Sequence, residues 1–249
     1  MNPSDQFIKE RKQRINSYAE NSQLQSSTEN FRNTTIDSMY SYNFEWCGRP
    51  IIQYPQDMVA LQEIIWEVKP DMIIETGIAH GGSLIFSASM LAILEACGEI
   101  ESGQVLGIDI DIRDHNKQAI ETHPLSKKIT MYEGSSIAPE MVDKVKTFAK
   151  QGKKILVCLD SNHTHEHVLQ ELKAYAPLVS KGSYCVVFDT IVEDLPENTF
   201  SDRPWGIGDN PKTAVFEYLQ DNDNFEIDTI LEQKLLITVA PSGYLRKVK

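Results

Sequence analysis

The stretch LDSNHTHEH, residues 159–167, carries two acids and three histidines. Asp160 closes an almost wholly apolar run, KILVCLD (154–160), where a buried strand would end. A carboxylate at such a point is costly unless it meets a cation or hydrogen-bond donors. His163 follows three residues later; imidazole titrates near neutrality, which suits a general base. A second acid, Asp189, closes the run CVVFD (185–189). If these runs are neighbouring parallel strands, about 4.8 Å apart, Asp160 and Asp189 can share a hard cation such as Mg²⁺. Plainer readings stand beside these: Asp160 as a helix cap, His163 as a hydrogen-bonded loop histidine, His165 and His167 as solvated first-turn residues. His163, Glu166 and His167 also spell H-x-x-E-H, an inverted zinc-protease pattern. That pattern requires an active-site helix, whereas here the residues open a crossover helix.

A second motif, IIETGIAHGGS (73–83), sets an acid and bare backbone at another strand tip. Gly77 lets the chain turn, Gly81 and Gly82 admit a ligand to the backbone, and Ser83 can cap the next helix. The dinucleotide fingerprint GxGxxG has no acid before its first glycine and receives a pyrophosphate. Glu75 would repel one. It suits a ligand that is positive or rich in donors, such as the ammonium-bearing end of S-adenosylmethionine. Glycines that merely ease packing are the alternative. GIDID (107–111) ends a further strand with Asp109, placed to accept ribose hydroxyls; Asp111 faces the same way if the strand continues. EGSS (133–136) offers small residues and hydroxyls, Ser135 among them, to an adenine edge, or caps the following helix.

These tips need a frame. Apolar runs at 71–77, 104–112, 128–136, 154–160 and 182–190 alternate with helical patterns at 56–70, 83–98, 113–124, 139–152, 165–179 and 212–222. Such alternation predicts a doubly wound α/β fold, with a mostly parallel sheet covered on both faces. Two final runs, 225–231 and 235–241, are separated only by EQK, too short for a helical crossover. They are expected to pair as an antiparallel C-terminal hairpin and bring the sheet to seven strands. Residues 1–45 are polar with mixed charge, a helical arm suited to oligomer contacts; 46–249 form the main domain. The segment 192–211, rich in Pro, Gly and Asp and carrying Arg203, Trp205 and Asp209, has the length of a lid.

Composition narrows the partners. With 24 Lys+Arg against 36 Asp+Glu, the net charge of −12 disfavours nucleic acid. Four cysteines lie scattered without a C-x-x-C pair, which fits a reducing cytoplasm. No apolar stretch approaches membrane-spanning length.

ETGIAHGGS, GIDID, LDSNHTHEHVLQEL, APLVSKGSYCVVFDT and GDNPKTAV together resemble the cephalosporin hydroxylase / rhamnosyl O-methyltransferase family across roughly residues 45–245. The resemblance implies a Rossmann-like class I methyltransferase fold that uses S-adenosylmethionine to methylate hydroxyls of sugars and natural products, with Mg²⁺ in related macrolide-sugar enzymes. It implies that Glu75 and Asp109 bind the cofactor's amino-acid end and ribose, that Asp160 is a metal ligand, and that His163 is the base. Relatives carry an adjacent Glu-Asp pair where this chain has Phe188-Asp189. That loss lowers the expected metal affinity unless Glu193 or Asp194 completes the shell. Hydroxylase chemistry does not follow, because no facial triad of two histidines and a carboxylate is evident. A non-catalytic nucleoside-binding protein and an NAD-dependent dehydrogenase are the competing readings.

Overall fold

The structure, a computed structural model, describes residues 2–197 and 199–249. The arm is two helices, α1 (Pro3–Tyr18) and α2 (Ser22–Asp37), with Asn2 and Asn21 accepting amide hydrogen bonds at their N-termini. A small hairpin, β1 (Phe44–Trp46) and β2 (Arg49–Ile51), leads into α3 (Pro55–Val68), which opens on a proline where no amide partner is needed. The alternating body follows: β3 (Met72–Thr76), α4 (Gly82–Ala96), β4 (Gln104–Asp109), α5 (Asp114–Glu121), β5 (Ile129–Glu133), α6 (Pro139–Ala149), β6 (Ile155–Leu159), α7 (His165–Tyr175) and β7 (Tyr184–Val187). The chain ends with α8 (Pro211–Gln220), β8 (Phe225–Ile227), α9 (Thr229–Leu235) and β9 (Tyr244–Lys247).

The seven-stranded sheet runs β5-β4-β3-β6-β7-β9-β8, parallel through β7 and antiparallel in its last two pairings. Its strand order reverses between β3 and β6, so their carboxyl ends flank the crevice where such sheets bind ligands. Successive strand residues face opposite layers. Ile73, Val105, Leu156 and Val186 pack with α3 and α4, while Ile74, Leu106, Val157 and Val187 pack with α6, α7 and α8. Cys158 and Cys185 are buried in these layers as small apolar side chains. Among the described residues no helix is long and apolar enough to cross a membrane.

The antiparallel edge is present, but its second strand is not the expected one. Residues 229–235 form a helix, and 235–241 form no strand. Asp228 accepts the amide of Leu231 at that helix start, and Leu231 and Leu235, four apart, both turn inward. The partner of β8 is β9, which slots between β7 and β8. It reaches β7 through Gly243, where a Cβ would stand 2.0 Å from the carbonyl oxygen of Val187.

Candidate active site

The first strand tip is built around a buried acid. Glu75 is 3 % exposed and accepts a hydrogen bond from the Ser83 hydroxyl. Burial pushes its carboxyl up to about 7, with the Ser83 hydrogen bond offsetting part of that shift. Ser83 therefore does not cap α4, as its sequence position suggests; the cap position is Gly81. The glycines are in tight contact with protein. A Cβ on Gly77 (φ +89°) would lie 1.9 Å from the Asp160 carbonyl oxygen, and one on Gly82 would lie 2.1 Å from that of Pro50. Gly81 meets Ile120 in the same way. Packing of neighbouring chain thus accounts for Gly81 and Gly82 without a ligand.

Asp109 folds back onto the loop of the first motif. Its Oδ2 accepts the amides of Ile78 (2.7 Å) and Ala79 (3.2 Å), and its Oδ1 accepts that of Asp111 (3.1 Å). A carboxylate has about four lone-pair sites, so one acceptor position on Oδ1 remains. The strand stops at Asp109, and Asp111 lies exposed beyond it, so the expected alignment of the two acids fails. Gly134 donates its amide to the Asp109 carbonyl (2.8 Å), which brings half-buried Ser135 beside this tip. Its neighbour Ser136 is turned inward and donates to buried Glu171.

The second half of the crevice gathers the catalytic candidates. Asp160, His163 and Asp189 each offer a ligand atom, and these atoms lie within 4.8 Å of one another. His163 Nε2 is 3.3 Å from Asp189 Oδ2. Asp189 holds a left-handed backbone (φ +53°), unusual for a residue with a side chain. Burial, then the charges of Asp189 and Glu75, holds the Asp160 carboxyl well above the usual range. The segment after β7 folds over this cluster. Trp205 meets the His163 ring edge-on, with centroids 4.8 Å apart, and the Arg203 guanidinium lies 5.6 Å from the Trp205 ring. Asp209 accepts the amide of His165 (2.7 Å), and Asn210 caps α8 while donating to Glu193.

Neither nearby acid is free to complete a metal shell. Glu193 accepts from Gly208 (2.8 Å) and Asn210, and Asp194 pairs with Lys212 (2.7 Å). Phe188, 6 % exposed, lines a narrow cavity with Gln53, Glu75 and Asp160. The carboxylates of Asp160 and Asp189 remain as donors for a single divalent cation, with the His163 imidazole beside them.

Arg49, Asp57 and Gln53, which carry no sequence signal, also shape the site. Arg49, on β2, donates to the His80 carbonyl (2.6 Å and 3.0 Å) and to Asn116, while Asn116 donates to the Ala79 carbonyl. Together they clamp the glycine loop from outside. Asp57, at the start of α3, is 1 % exposed and accepts from Thr238, Tyr244 (2.7 Å) and the Val239 amide (2.9 Å). Burial pushes its carboxyl up to about 6. Gln53, on the same segment, reaches Asp160. All three lie before the alternating body, and only tertiary contacts reveal them.

Comparison with known proteins gives this geometry a lineage. The family model described as Rhamnosyl O-methyltransferase/CmcI matches residues 38–248. The chain belongs to that family. Two relatives are rhamnosyl O-methyltransferases, from Mycobacterium leprae (strain TN; 29 % identical, over 80 % of this chain and 81 % of the relative) and Mycobacterium tuberculosis (strain ATCC 25618 / H37Rv; 30 % identical, over 76 % and 72 %). In fold it is similar to an apo structure of CmcI (TM-score 0.57, 20 % identical, covering 84 % of this chain and 77 % of that one) and to a CmcI structure with Mg and SAM (TM-score 0.54, 20 % identical, 84 % and 78 %). As a Rhamnosyl O-methyltransferase/CmcI family member, the chain is an S-adenosylmethionine-dependent O-methyltransferase, and the dehydrogenase reading falls. The residues of the buried cavity fit the ammonium of such a cofactor: Glu75 is desolvated with one neutral donor, and Gln53 Oε1 is buried without a partner among the described residues.

Proposed function

We propose that the chain methylates a hydroxyl of a deoxysugar, with residues 46–249 as the transferase unit and 1–45 as an appended arm. The relatives' rhamnosyl specificity supports the acceptor class. The observation that carries the mechanism is the convergence of Asp160, His163 and Asp189 beside the cavity that holds Glu75.

S-Adenosylmethionine, when bound, supplies an electrophilic methyl on a sulfonium; a divalent cation, when bound, supplies Lewis acidity for the sugar hydroxyl. Glu75 would hold the donor's ammonium, and the free position on Asp109 Oδ1 a ribose hydroxyl. Ser135 would meet the adenine edge, and Gly77 lets the turn after β3 pack against the Asp160 carbonyl. Asp160 and Asp189 would hold Mg²⁺.

His163 would take the hydroxyl proton at Nε2. Asp189 Oδ2, 3.3 Å from that nitrogen, balances the charge the ring gains. Trp205 and Arg203 close the acceptor side and limit water. The methyl donor and acceptor oxygen must meet at roughly 3 Å, and this positioning supplies much of the remaining rate.

The test is methyl transfer from labelled S-adenosylmethionine to rhamnosyl acceptors, with glucosyl acceptors as controls. Rhamnosyl products are expected, and His163→Ala should lower kcat by ~10²–10⁴ while S-adenosylhomocysteine binds as before. Cofactor binding without transfer to any sugar would favour a non-catalytic role, a reading that the buried Phe188 in place of an acid keeps in view.

A further inference from the structure

The cavity between β3, β6 and the segment before α3 has a surplus of acceptors. Glu75, Asp160 and Gln53 all line it. Asp57 also lines it, but that carboxylate is spent on Thr238, Tyr244 and the Val239 amide. Gln53 is 6 % exposed, yet its Oε1 meets no donor among the described residues. A buried, unpaired amide oxygen is costly, and a native structure retains one where something else supplies the donor. The orientation of the amide follows from its neighbour. Its Nε2 lies 3.4 Å from Asp160 Oδ2, and exchanging the two amide atoms would set oxygen against the ionised carboxylate that a cation on Asp160 requires.

The size of the space narrows the donor. About 10 Å³ is free, room for one water-sized group. The wall contributes one hydroxyl donor, from Ser83, and that is already given to Glu75. A group of water's size that carries three donors and a positive charge matches this wall better than any neutral one.

We propose that Gln53 is a binding residue for the methyl donor: its Oε1 accepts a hydrogen bond from the α-ammonium, opposite Glu75 and beside Asp160. This rests on the S-adenosylmethionine reading and extends it to a segment outside the strand-tip motifs. Gln53 arrives from the β1–β2 hairpin side, so the amino-acid end of the donor would be read by both the sheet and the chain that precedes it. Asp57 acts on the donor only through Gln53 and α3. Its bonds to residues 238–244 anchor the first turn of α3, which begins at Pro55, two residues beyond Gln53, and it is a positioning residue.

Three probes separate the possible roles by calorimetry. S-Adenosylhomocysteine has both ammonium and carboxylate, decarboxylated S-adenosylmethionine keeps only the ammonium, and 5′-methylthioadenosine has neither. Gln53→Leu is expected to weaken the first two by roughly 10- to 100-fold, as for a lost hydrogen bond to a charged group. 5′-Methylthioadenosine should bind within about twofold of wild type, which also certifies that the variant folds. Equal weakening of all three, or no weakening of any, overturns the proposal and points to an ordered water in the cavity. Weakening of S-adenosylhomocysteine alone overturns it too and assigns Gln53 to the carboxylate. If Gln53→Leu does not fold, Gln53→Glu carries the test. It keeps an acceptor oxygen, so the two ammonium probes should still bind more tightly than 5′-methylthioadenosine by the wild-type margin; loss of that margin overturns the proposal. Wild-type protein that binds none of the probes would instead sink the S-adenosylmethionine reading itself.

Discussion

The two halves of the crevice are built on different plans. On the β3–β4 side, local sequence does the positioning: the acid, the turn glycine and the serine that satisfies the acid lie within nine residues, and Asp109 ties down the loop they form. On the β6–β7 side, Asp160, His163, Asp189 and Trp205 come from three separated stretches and are held by contacts of long sequence separation. A cofactor common to many reactions can be met by a compact motif. The opposite half is instead assembled from parts far apart in the chain.

The sharpest way to break the contrast is Gly77→Ala, which strikes both halves at once. Its Cβ would collide with the Asp160 carbonyl at a backbone angle hostile to side chains. A loss of about 3 kcal/mol or more is expected, seen as a large fall in Tm together with lost S-adenosylhomocysteine binding. A variant of wild-type stability would show that the two tips are not in contact.

Phe188→Glu perturbs the acceptor half and, with it, the wall of the cavity that Phe188 shares with Glu75. Restoring an acid beside Asp189 should tighten Mg²⁺ binding by calorimetry. It should also lower Tm by the equivalent of ~2–4 kcal/mol, since a packed ring gives way to a buried charge. Tighter binding with no fall in Tm would mean that the ring contributes little packing.

pH sharpens the cofactor half. Glu75, raised to about 7, and Asp57, raised to about 6, both favour the free protein when protonated. Their contribution is complete below the ordinary carboxylate range and is lost as pH climbs through 6 to 7. Tm of the free protein should therefore fall between pH 5 and pH 8. S-Adenosylhomocysteine affinity should rise by about tenfold from pH 6 to pH 8 as Glu75 ionises to meet the ammonium. Affinity flat across that range would detach Glu75 from the ligand. The smallest effect is expected for Trp205→Ala: KM for the sugar acceptor rises by about tenfold or less while S-adenosylhomocysteine affinity stays put, since the ring touches His163 and not the cofactor cavity.

Legibility in the sequence follows the same divide. The period of apolar residues and the glycine punctuation made the parallel body readable, because each strand declares itself over a few residues. The last strands did not, because 225–241 is apolar without a clean period, and only the inward turn of Leu231 and Leu235 shows a helix there. Asp160, His163 and Asp189 were readable as strand-tip chemistry. Gln53, Arg49 and Asp57 were not, since an isolated polar residue before a helix gives no hint of what it will reach across the fold. The close approach of Ile120 to Gly81 and of Pro50 to Gly82 has no signal in the sequence either.

The contact between Gly77 and the Asp160 carbonyl has one last consequence. The amide of Asp160 also donates to the Thr76 carbonyl (2.9 Å), so the ends of β3 and β6 are fastened at adjoining residues. Neither tip can shift without carrying the other. The spacing of Glu75 from Asp160 is thereby inherited from the sheet and owes nothing to the segment that bears Trp205.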